Sequence, residues 1–311
     1  METGELYRIG IDLGGTKTEA ILLDPSDGIV MRERRATPLS EGYQAVLELV
    51  AAMVRDAAAR VPSGRDYSVG IGIPGSLDAV TGLVRNANSV CLIGHPFASD
   101  LGPLLGRRVA VRNDADCFTL AECRAGAGAG YGLVFGVIMG TGCGGGICLD
   151  GVVREGPHRI CGEWGHLSVD PRGAECYCGN RGCEETKISG SGVEAAFLAR
   201  HGENLSMDRI VAGAREGEPR CRAAFDSFLD DFGRCLGGVI SILDPDAVVL
   251  GGGLSNIDEL YQGGFERVRH YAFHGDLRTP VLRNQLGDSA GVFGAAWIGV
   301  EDGDCNWRCL R

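Results

Sequence analysis

Two segments about half a chain apart repeat the same pattern of strand and turn. Residues 9–24 read IGIDLGGTKTEAILLD, and residues 135–150 read FGVIMGTGCGGGICLD. Each has an apolar stretch, a glycine-rich turn with a threonine, a second apolar stretch and an aspartate. A repeat at half-chain scale is unlike the short period of a solenoid, so it predicts two similar domains. We expect the domains to face one another across a cleft, each presenting a glycine turn to it.

Apolar runs alternate with helical patterns along the chain, which is typical of an α/β fold. Strands are predicted at 7–12, 18–24, 28–37, 68–75, 108–114, 132–151 (two strands and a turn) and 246–253. Helices are predicted to cover 46–57 and 225–243 and to begin near Ala115 and Ser289. The segment GAGAG at 126–130 suits a hinge, so we place the boundary between domains near 115–130. The predicted domains are 1–118 and 119–311, and the C-terminal helix 289–311 is free to pack back on the first.

Composition narrows the class of protein. Glycine accounts for 50 of 311 residues without a Gly-X-Y period, so the glycines mark turns and close backbone approaches. Lys and Arg number 30 and Asp and Glu 41, and the net charge of −11 argues against a nucleic-acid backbone as partner. No apolar run reaches about 18 residues, so no membrane span is predicted. The start METGELYRIG is unlike a signal peptide and the 13 cysteines are scattered, so we expect a cytoplasmic, reduced protein.

Three predicted strands end in glycine-rich turns, at 12–17, 140–146 and 251–253. Backbone amides in such turns form ready anion sites, and glycine lets a phosphate approach without a Cβ clash. Three turns of this kind in one α/β protein, with Lys17 beside the first, favour a bound nucleotide. Asp12 at the end of its strand is placed to hold Mg²⁺ directly or through water. Taken alone, the first turn is equally consistent with a tight hairpin that binds nothing.

The segment VRNDADCF at 111–118 places polar residues where a strand runs into a helix. Asp114 at this point is placed to act as a base in a cleft. Asn and Asp are also favoured N-cap residues, so helix capping is the competing interpretation. Asn113 and Asp114 can divide the two roles between them.

The sharpest local pattern is CYCGNRGCEE at 176–185. Its three thiols lie within eight residues, and its glycines allow the loop to fold around an ion. Three thiolates and one histidine form a closed tetrahedral zinc site, whereas the competing interpretation is a set of buried free cysteines. The three thiols belong to Cys176, Cys178 and Cys183. The candidates for the fourth ligand, among which the spacing does not choose, are His158, Cys161 and His166.

Seven motifs in chain order resemble those of the ROK family, which comprises sugar kinases and sugar-responsive repressors. They are DLGGTK (12–17), IPG (73–75), NDAD (113–116), GTGCGGG (140–146), EWGH (163–166), CYCGNRGCEE (176–185) and LDPDAVVLGGG (243–253). The match covers nearly the whole chain, and the EWGH and cysteine motifs are specific to the family. The resemblance implies the two-domain actin-like ATPase fold, also called ribonuclease H-like. Within the family, the segments most similar to bacterial fructokinases (mannofructokinases) are NANSVCLIGHPFASDL (86–101), GTGCG, ISGSG (188–192) and GGGLSNIDELY.

The resemblance also implies roles for the matching residues. Asp12 would position Mg²⁺, and Asp114 would be the catalytic base. The first phosphate loop would comprise Gly10, Ile11, Asp12, Leu13, Gly14, Gly15, Thr16 and Lys17. The second phosphate loop and the adenosine contact would comprise Gly140, Thr141, Gly142, Cys143 and Gly144, and Gly251, Gly252 and Gly253. The sugar hydroxyls would be bound by Asn88, Asn113, Glu163, His166 and Glu185. A structural zinc ion would be held by His166, Cys176, Cys178 and Cys183.

One position departs from the pattern of the family. Its motif usually reads N-D-A-N, and the last residue here is Asp116. An acidic side chain in the first turn of a helix interacts favourably with the helix dipole, so we expect Asp116 to be tolerated.

These roles describe an ATP-dependent hexose kinase that phosphorylates the 6-hydroxyl of fructose, with mannose or glucose as further substrates. The alternatives within the family are N-acetylglucosamine kinase and glucokinase. A sugar-sensing repressor would need a DNA-binding domain ahead of the first glycine turn, where eleven residues precede Asp12. A non-catalytic sugar-binding protein would be expected to lack Asp114 or a phosphate loop. The expected ligands are a hexose, ATP, Mg²⁺ and Zn²⁺, and the expected assembly is a homodimer without nucleic acid or membrane partners.

Overall fold

The computed structural model describes residues 6–87 and 89–304, so Asn88 and the end of the predicted C-terminal helix lie outside the described residues. The chain divides into two compact units. Unit 1 comprises the residues up to 121, the segment 155–161 and the residues from 288 onward. Unit 2 comprises 122–154 and 162–287.

Strands and helices alternate along both units, as an α/β fold requires. The strands are β1 (Tyr7–Leu13), β2 (Lys17–Leu23), β3 (Ile29–Ala36), β4 (Tyr67–Ile73), β5 (Ser76–Leu77), β6 (Val84–Arg85), β7 (Ala110–Asn113), β8 (Leu133–Met139), β9 (Cys143–Leu149), β10 (Val152–Val153), β11 (Ala247–Gly251) and β12 (Val281–Arg283). The helices are α1 (Tyr43–Ala58), α2 (Phe97–Leu105), α3 (Asp114–Ala125), α4 (Glu185–Ile188), α5 (Gly190–His201), α6 (Met207–Glu216), α7 (Pro219–Leu243), α8 (Gly263–Tyr271) and α9 (Ala290–Asp304). None of the helices that the structure describes is long and apolar enough to cross a membrane.

Unit 1 is built on a five-stranded sheet with the order β3-β2-β1-β4-β7. The first three strands pair in antiparallel fashion, whereas β4 runs parallel to β1, and β7 runs parallel to β4. Helices α1 and α9 pack against the sheet, and the apolar runs of β1 and β4 are therefore buried. The side chains of Ile11 and Leu13, two residues of the predicted phosphate loop, lie in this core.

Unit 2 repeats the architecture of unit 1. Its sheet has the order β10-β9-β8-β11-β12, in which the first three strands pair in antiparallel fashion and the last two add in parallel. The hairpin of β8 and β9 thus corresponds to the hairpin of β1 and β2. The two sheets share strand order and strand direction, so the structure confirms the duplication that the two repeated segments predict.

The core of unit 2 centres on α7, whose predicted apolar face is buried. Phe228 and Phe232 on that face are almost completely inaccessible to solvent. The helix begins earlier than predicted, because Pro219 occupies its first turn and the Glu218 side chain accepts a hydrogen bond from the Cys221 N–H. It ends at Asp244, whose φ of 45° is left-handed and which precedes a proline.

Helix α9 lies very close to β1 and β4, because glycines occupy the contact points on both strands. A Cβ atom at Gly10 would lie 2.3 Å from the Val292 carbonyl oxygen, and one at Gly70 would lie 1.9 Å from the Ala295 carbonyl oxygen. Neither position can hold a side chain without displacing the helix. Gly10, which the resemblance assigns to the phosphate loop, is therefore required by the packing of α9 against the sheet.

Candidate active site

The first glycine turn is a hairpin turn that joins β1 to β2. The Gly14 N–H donates a hydrogen bond to the Lys17 carbonyl oxygen at 3.2 Å. A Cβ atom at Gly14 would lie 2.7 Å from that same oxygen, so the turn requires glycine there. Gly15, Thr16 and Lys17 are exposed at its tip. The segment is thus a tight hairpin turn, as one of the two interpretations predicts. The backbone and side chains at its exposed tip are accessible to a ligand.

Asp12, the next-to-last residue of β1, has a largely buried carboxyl group. Burial, together with the neighbouring carboxylates of Asp114 and Glu19, raises the pKa of Asp12 to about 7, although Arg34 and Lys17 oppose the shift. The start of α9 also approaches this carboxyl group, since a Cβ atom at Gly291 would lie 2.9 Å from Asp12 Oδ2. Several carboxylates crowded in one region destabilise their own negative charge, and a bound cation relieves that cost. The oxygen donors here fit Mg²⁺, which prefers carboxylate and water ligands.

Asn113 and Asp114 lie where β7 ends and α3 begins. The Asn113 side chain accepts a hydrogen bond from the Ala115 N–H at 2.8 Å and donates one to the Gly75 carbonyl oxygen at 2.9 Å. Asn113 thus caps the helix and fastens the IPG turn to it. Asp114 Oδ1 also accepts from the Ala115 N–H, at 2.9 Å. Asp116 follows in the same first turn and is buried, with 6% of its surface exposed.

The second glycine turn joins β8 to β9 and is held by residues that follow the cysteine loop. The Gly140 N–H donates to the Gly142 carbonyl oxygen at 2.9 Å, which closes the turn. Glu185 Oε2 accepts a hydrogen bond from the Cys143 N–H at 2.9 Å. The Gly190 N–H at the start of α5 donates to the Gly140 carbonyl oxygen at 2.8 Å. One oxygen of Glu185 is therefore committed to the turn.

Trp164 fastens the EWGH segment to the second turn. Its Nε1–H donates to the Gly144 carbonyl oxygen at 3.0 Å, and a Cβ atom at Gly145 would lie 2.8 Å from its ring. Gly145, in the run of three glycines at 144–146, therefore makes room for an indole ring, which the sequence pattern alone did not indicate. The adjacent Glu163 is partly buried, and burial raises its pKa, while nearby His166 opposes the shift.

The cysteine loop brings four ligand atoms together. They belong to His166, Cys176, Cys178 and Cys183, and all lie within 4.8 Å of one another. His166 Nδ1 is 3.6 Å from the Cys176 sulfur, and the sulfurs of Cys178 and Cys183 are 3.6 Å apart. Three sulfur donors and one imidazole nitrogen fit a closed tetrahedral zinc site. Of the three candidates for the fourth ligand, the structure places His166 with the thiols.

The third glycine turn follows β11 and lies beside the second. Gly252 has a φ of 76°, and a Cβ atom there would lie 2.4 Å from the Met139 carbonyl oxygen at the end of β8. Gly140 also approaches the third turn, with the position of its Cβ atom 4.0 Å from the Gly253 nitrogen. The parallel pairing of β8 and β11 explains this proximity, because the carboxyl ends of parallel strands meet at one edge.

The predicted site residues therefore form two groups, one in each unit. In unit 1 the structure brings Asp12 and Asp114 together near the first turn. In unit 2 it brings together the second turn, the third turn, Glu163, Glu185 and the Cys/His cluster. Asn88 lies outside the described residues, and the sugar contacts remain predictions.

Known proteins resemble this chain along nearly its whole length. The sequence profile of the ROK family matches residues 8–301. The N-acetyl-D-glucosamine kinase of Yersinia pseudotuberculosis is 36% identical over 299 residues, which cover 93% of this chain and 97% of that enzyme. A ROK hexokinase structure from Thermus thermophilus has a TM-score of 0.86 and 31% identity, covering 96% of this chain and 100% of its own. A ROK family glucokinase from Streptomyces griseus, in complex with glucose and AMPPNP, has a TM-score of 0.75 and 30% identity, covering 94% of this chain and 98% of its own.

Proposed function

Since this chain belongs to the ROK family and is a sugar kinase with the actin-like ATPase fold of that family, we propose that it transfers the γ-phosphoryl group of ATP to the 6-hydroxyl of a hexose. The observation that supports this reaction most directly is the buried carboxyl group of Asp12 at the end of β1, to which the Asp114 carboxylate is near enough to help raise its pKa. One carboxylate can bind a metal ion while the other accepts a proton. Phosphoryl transfer needs both functions, together with donors for the phosphate oxygens.

N-Acetylglucosamine is the hexose that we propose first. The supporting observation is the 36% identity to an N-acetyl-D-glucosamine kinase over 93% of this chain. The motifs place N-acetylglucosamine after fructose, whereas this relative favours N-acetylglucosamine over fructose.

Fructose is the second candidate, and particular sequence segments favour it. NANSVCLIGHPFASDL at 86–101 and ISGSG at 188–192 are most similar to fructokinases. The first segment follows the IPG turn, which Asn113 ties to the start of α3 beside Asp114. The ISGSG segment includes Gly190, which supports the second glycine turn. Sequence differences between fructokinases and other ROK kinases in these two segments would therefore change the residues around the predicted sugar contacts.

In the proposed reaction, Asp12 would hold Mg²⁺ directly or through water, and the exposed tip of the first turn and the second turn would bind phosphate oxygens. The Mg²⁺ ion, when bound, neutralises charge that develops on the phosphate oxygens. Lys17 at the tip of the first turn adds a cationic side chain for the same oxygens. The third turn, beside the second, lies against the adenosine.

Asp114 is the residue to which we assign the proton of the reacting hydroxyl. It lies at the N-terminus of α3, directly after the end of β7, where its Oδ1 accepts a hydrogen bond from the Ala115 N–H. Glu163 and Glu185 accept hydrogen bonds from other sugar hydroxyls. The Asn113 amide, which already caps α3 and donates to the Gly75 carbonyl oxygen, contributes a further hydrogen bond. The proton leaves the hydroxyl late in transfer, so a carboxylate of ordinary basicity suffices.

We propose that the Cys/His cluster holds a structural zinc ion. His166, Cys176, Cys178 and Cys183 would be its ligands, which leaves no open coordination position for chemistry. The ion would link the cysteine loop to the EWGH segment. It would thereby orient Glu163, which precedes the ligand His166, and Glu185, which follows the ligand Cys183.

Identification of the product tests the proposed reaction. Incubation with MgATP and either N-acetylglucosamine or fructose should give the 6-phosphate, recognised by the carbon–phosphorus couplings in its NMR spectrum. The matched control is the corresponding 6-deoxy sugar, which lacks the reacting hydroxyl and should yield no sugar phosphate. Phosphorylation at another carbon would contradict the proposed regiochemistry, and hydrolysis of ATP without a sugar phosphate would contradict the kinase function.

A further inference from the structure

The third glycine turn is held in shape by Ser255, a buried residue just after it. The Ser255 hydroxyl donates to the Gly252 carbonyl oxygen at 2.7 Å, and the Ser255 N–H donates to the same oxygen at 3.0 Å. The carbonyl and the N–H of a planar trans peptide point in opposite directions, so these bonds also fix the direction of the Gly253 N–H. The peptide between Gly252 and Gly253 therefore depends on Ser255 for its orientation.

Asn284, directly after β12, holds Ser255 in turn. Asn284 Nδ2 donates to the Ser255 hydroxyl oxygen at 3.1 Å and to the Leu250 carbonyl oxygen at 3.0 Å. Asn284 Oδ1 accepts from the Gly287 N–H at 3.1 Å. Since the carbonyl oxygen of Leu250 only accepts and the N–H of Gly287 only donates, these partners determine which way the amide group is turned. The Ser255 hydroxyl accepts from Asn284, and its single proton is thereby directed to Gly252.

The backbone that follows Asn284 is anchored by a buried carboxylate. Glu122, near the C-terminal end of α3, is completely inaccessible to solvent. Its oxygens accept from the N–H groups of Gln285 at 3.1 Å and Leu286 at 2.8 Å. The Ala127 N–H donates to the same carboxylate at 2.8 Å. Burial of a carboxylate is costly unless hydrogen bonds satisfy it, so these contacts hold the segment firmly beside Asn284.

We infer that Asn284 is a positioning residue for the nucleotide, which acts through Ser255 to hold the peptide between Gly252 and Gly253 in the orientation that binds ATP. The inference rests on the proposed kinase function, in which the third turn lies against the adenosine, and adds a residue that none of the motifs assigns. All the residues of this hydrogen-bonded chain belong to unit 2. Loss of the Asn284 donors would release the turn and weaken nucleotide binding, whereas the hexose contacts are made by other residues.

Asn284→Asp tests the inference, because it keeps the size of the side chain and replaces its two N–H donors with an acceptor oxygen. The KM for ATP and the Kd for MgADP should each rise by about 10-fold or more, the usual result of leaving buried polar groups unpaired. The KM for the hexose and the kcat at saturating ATP should change by about 3-fold or less. Steady-state kinetics with each substrate varied and calorimetric titration with MgADP measure these quantities.

Ser255→Ala is the second variant, because it removes only the hydroxyl that links Asn284 to Gly252. It should show the same selective rise in the KM for ATP and the Kd for MgADP. The matched control is Asn204→Asp, which makes the same chemical change at an exposed asparagine of unit 2 and should leave both values unaltered.

Three results would contradict this account, and they are distinguishable. Unchanged affinity for MgADP in both variants would overturn the role of Asn284, and a lower melting temperature with unchanged affinity would assign it to stability alone. An equal rise in the KM for ATP and for the hexose would also overturn it, because the effect would not be confined to the nucleotide. Absence of hexose-dependent turnover in the wild-type enzyme would overturn the proposed function, whatever the variants do.

Discussion

At the scale of single residues, the chemistry that we propose depends on one carboxylate at the start of α3. Asp114→Asn keeps the shape of the side chain and its capacity to accept from the Ala115 N–H, but removes its basicity. We expect kcat to fall by about 10²–10⁴-fold, the usual contribution of a general base. Hexose affinity and melting temperature should be almost unchanged. Steady-state kinetics and calorimetric titration with the hexose measure both quantities.

Asp116→Asn is the matched control, since it makes the same change two residues further along the helix. Asp116 is buried in the first turn of α3. This variant should retain most of its turnover. Near-normal turnover of Asp114→Asn would remove Asp114 from the mechanism.

The sequence alone identified Asn113 and Asp114 at the junction of β7 and α3, but it did not show which of them caps the helix. A strand that ends in Asn-Asp before a helix permits a cap, a base or both. The hydrogen bonds of Asn113 to Ala115 and Gly75 show which of the two caps the helix. The role of Trp164 was missed, because an aromatic residue in a loop carries no periodic pattern. The glycine run at 144–146 was the available clue to Trp164.

At the scale of elements, the contact of α9 with the sheet of unit 1 depends on the absence of side chains. Gly70→Ala would place a Cβ atom 1.9 Å from the Ala295 carbonyl oxygen, so strand or helix must move. We expect the free energy of unfolding to fall by about 1–3 kcal/mol, the usual cost of overpacking. Urea denaturation followed by circular dichroism measures this change.

Gly238→Ala is the control for this variant. Gly238 lies in α7, and a Cβ atom there meets no atom within 4 Å. Alanine in the interior of a helix is favoured over glycine by about 1 kcal/mol, so this variant should be slightly more stable than the wild type. Equal stability of Gly70→Ala and the wild type would contradict the close packing of α9.

The cysteine loop supplies a second prediction at this scale. Cys178→Ser removes one of four ligand atoms that lie within 4.8 Å of one another. Metal binding to such a site is coupled to folding of the loop, so the variant should lose zinc, thermal stability and hexose affinity together. Elemental analysis, thermal denaturation and calorimetry measure the three effects. Cys91→Ser, at a cysteine outside the cluster, should keep its zinc, and an active wild-type enzyme without zinc would contradict the proposed site.

The elements that sequence patterns predicted are those with strong apolar periodicity. The hairpins of both repeats and α7 belong to this group. Helices α2, α4, α5, α6 and α8 were not predicted, because short helices depend on tertiary packing more than on propensity. The fourth ligand of the cysteine loop could not be chosen either, since ligands from distant segments meet only through the fold. The close approach of α9 has the same origin, because Gly10 and Gly70 give no indication of their partner in the sequence.

At the scale of the whole molecule, the two units share one strand order and one pattern of strand directions. That duplication was readable from the two repeated segments, as hydrophobic pattern and turn chemistry determine strand and hairpin locally. The identity of the hexose was not readable in the same way. Hexoses differ by a few hydroxyl and amide groups, and the polar contacts to these groups depend on the placement of individual side chains. The preference for fructose that the motifs indicate and the preference for N-acetylglucosamine that the 36% identical relative supports therefore remain to be separated by experiment.

The most direct test of the central claim is the rate of ADP release from MgATP, measured with N-acetylglucosamine, fructose, glucose and mannose in turn. We predict hexose-dependent ADP release, with kcat/KM highest for N-acetylglucosamine and fructose the nearest competitor. Release that is highest with fructose would reverse the order of the substrates and leave the kinase function intact. Release that does not depend on any of the four hexoses would contradict the account.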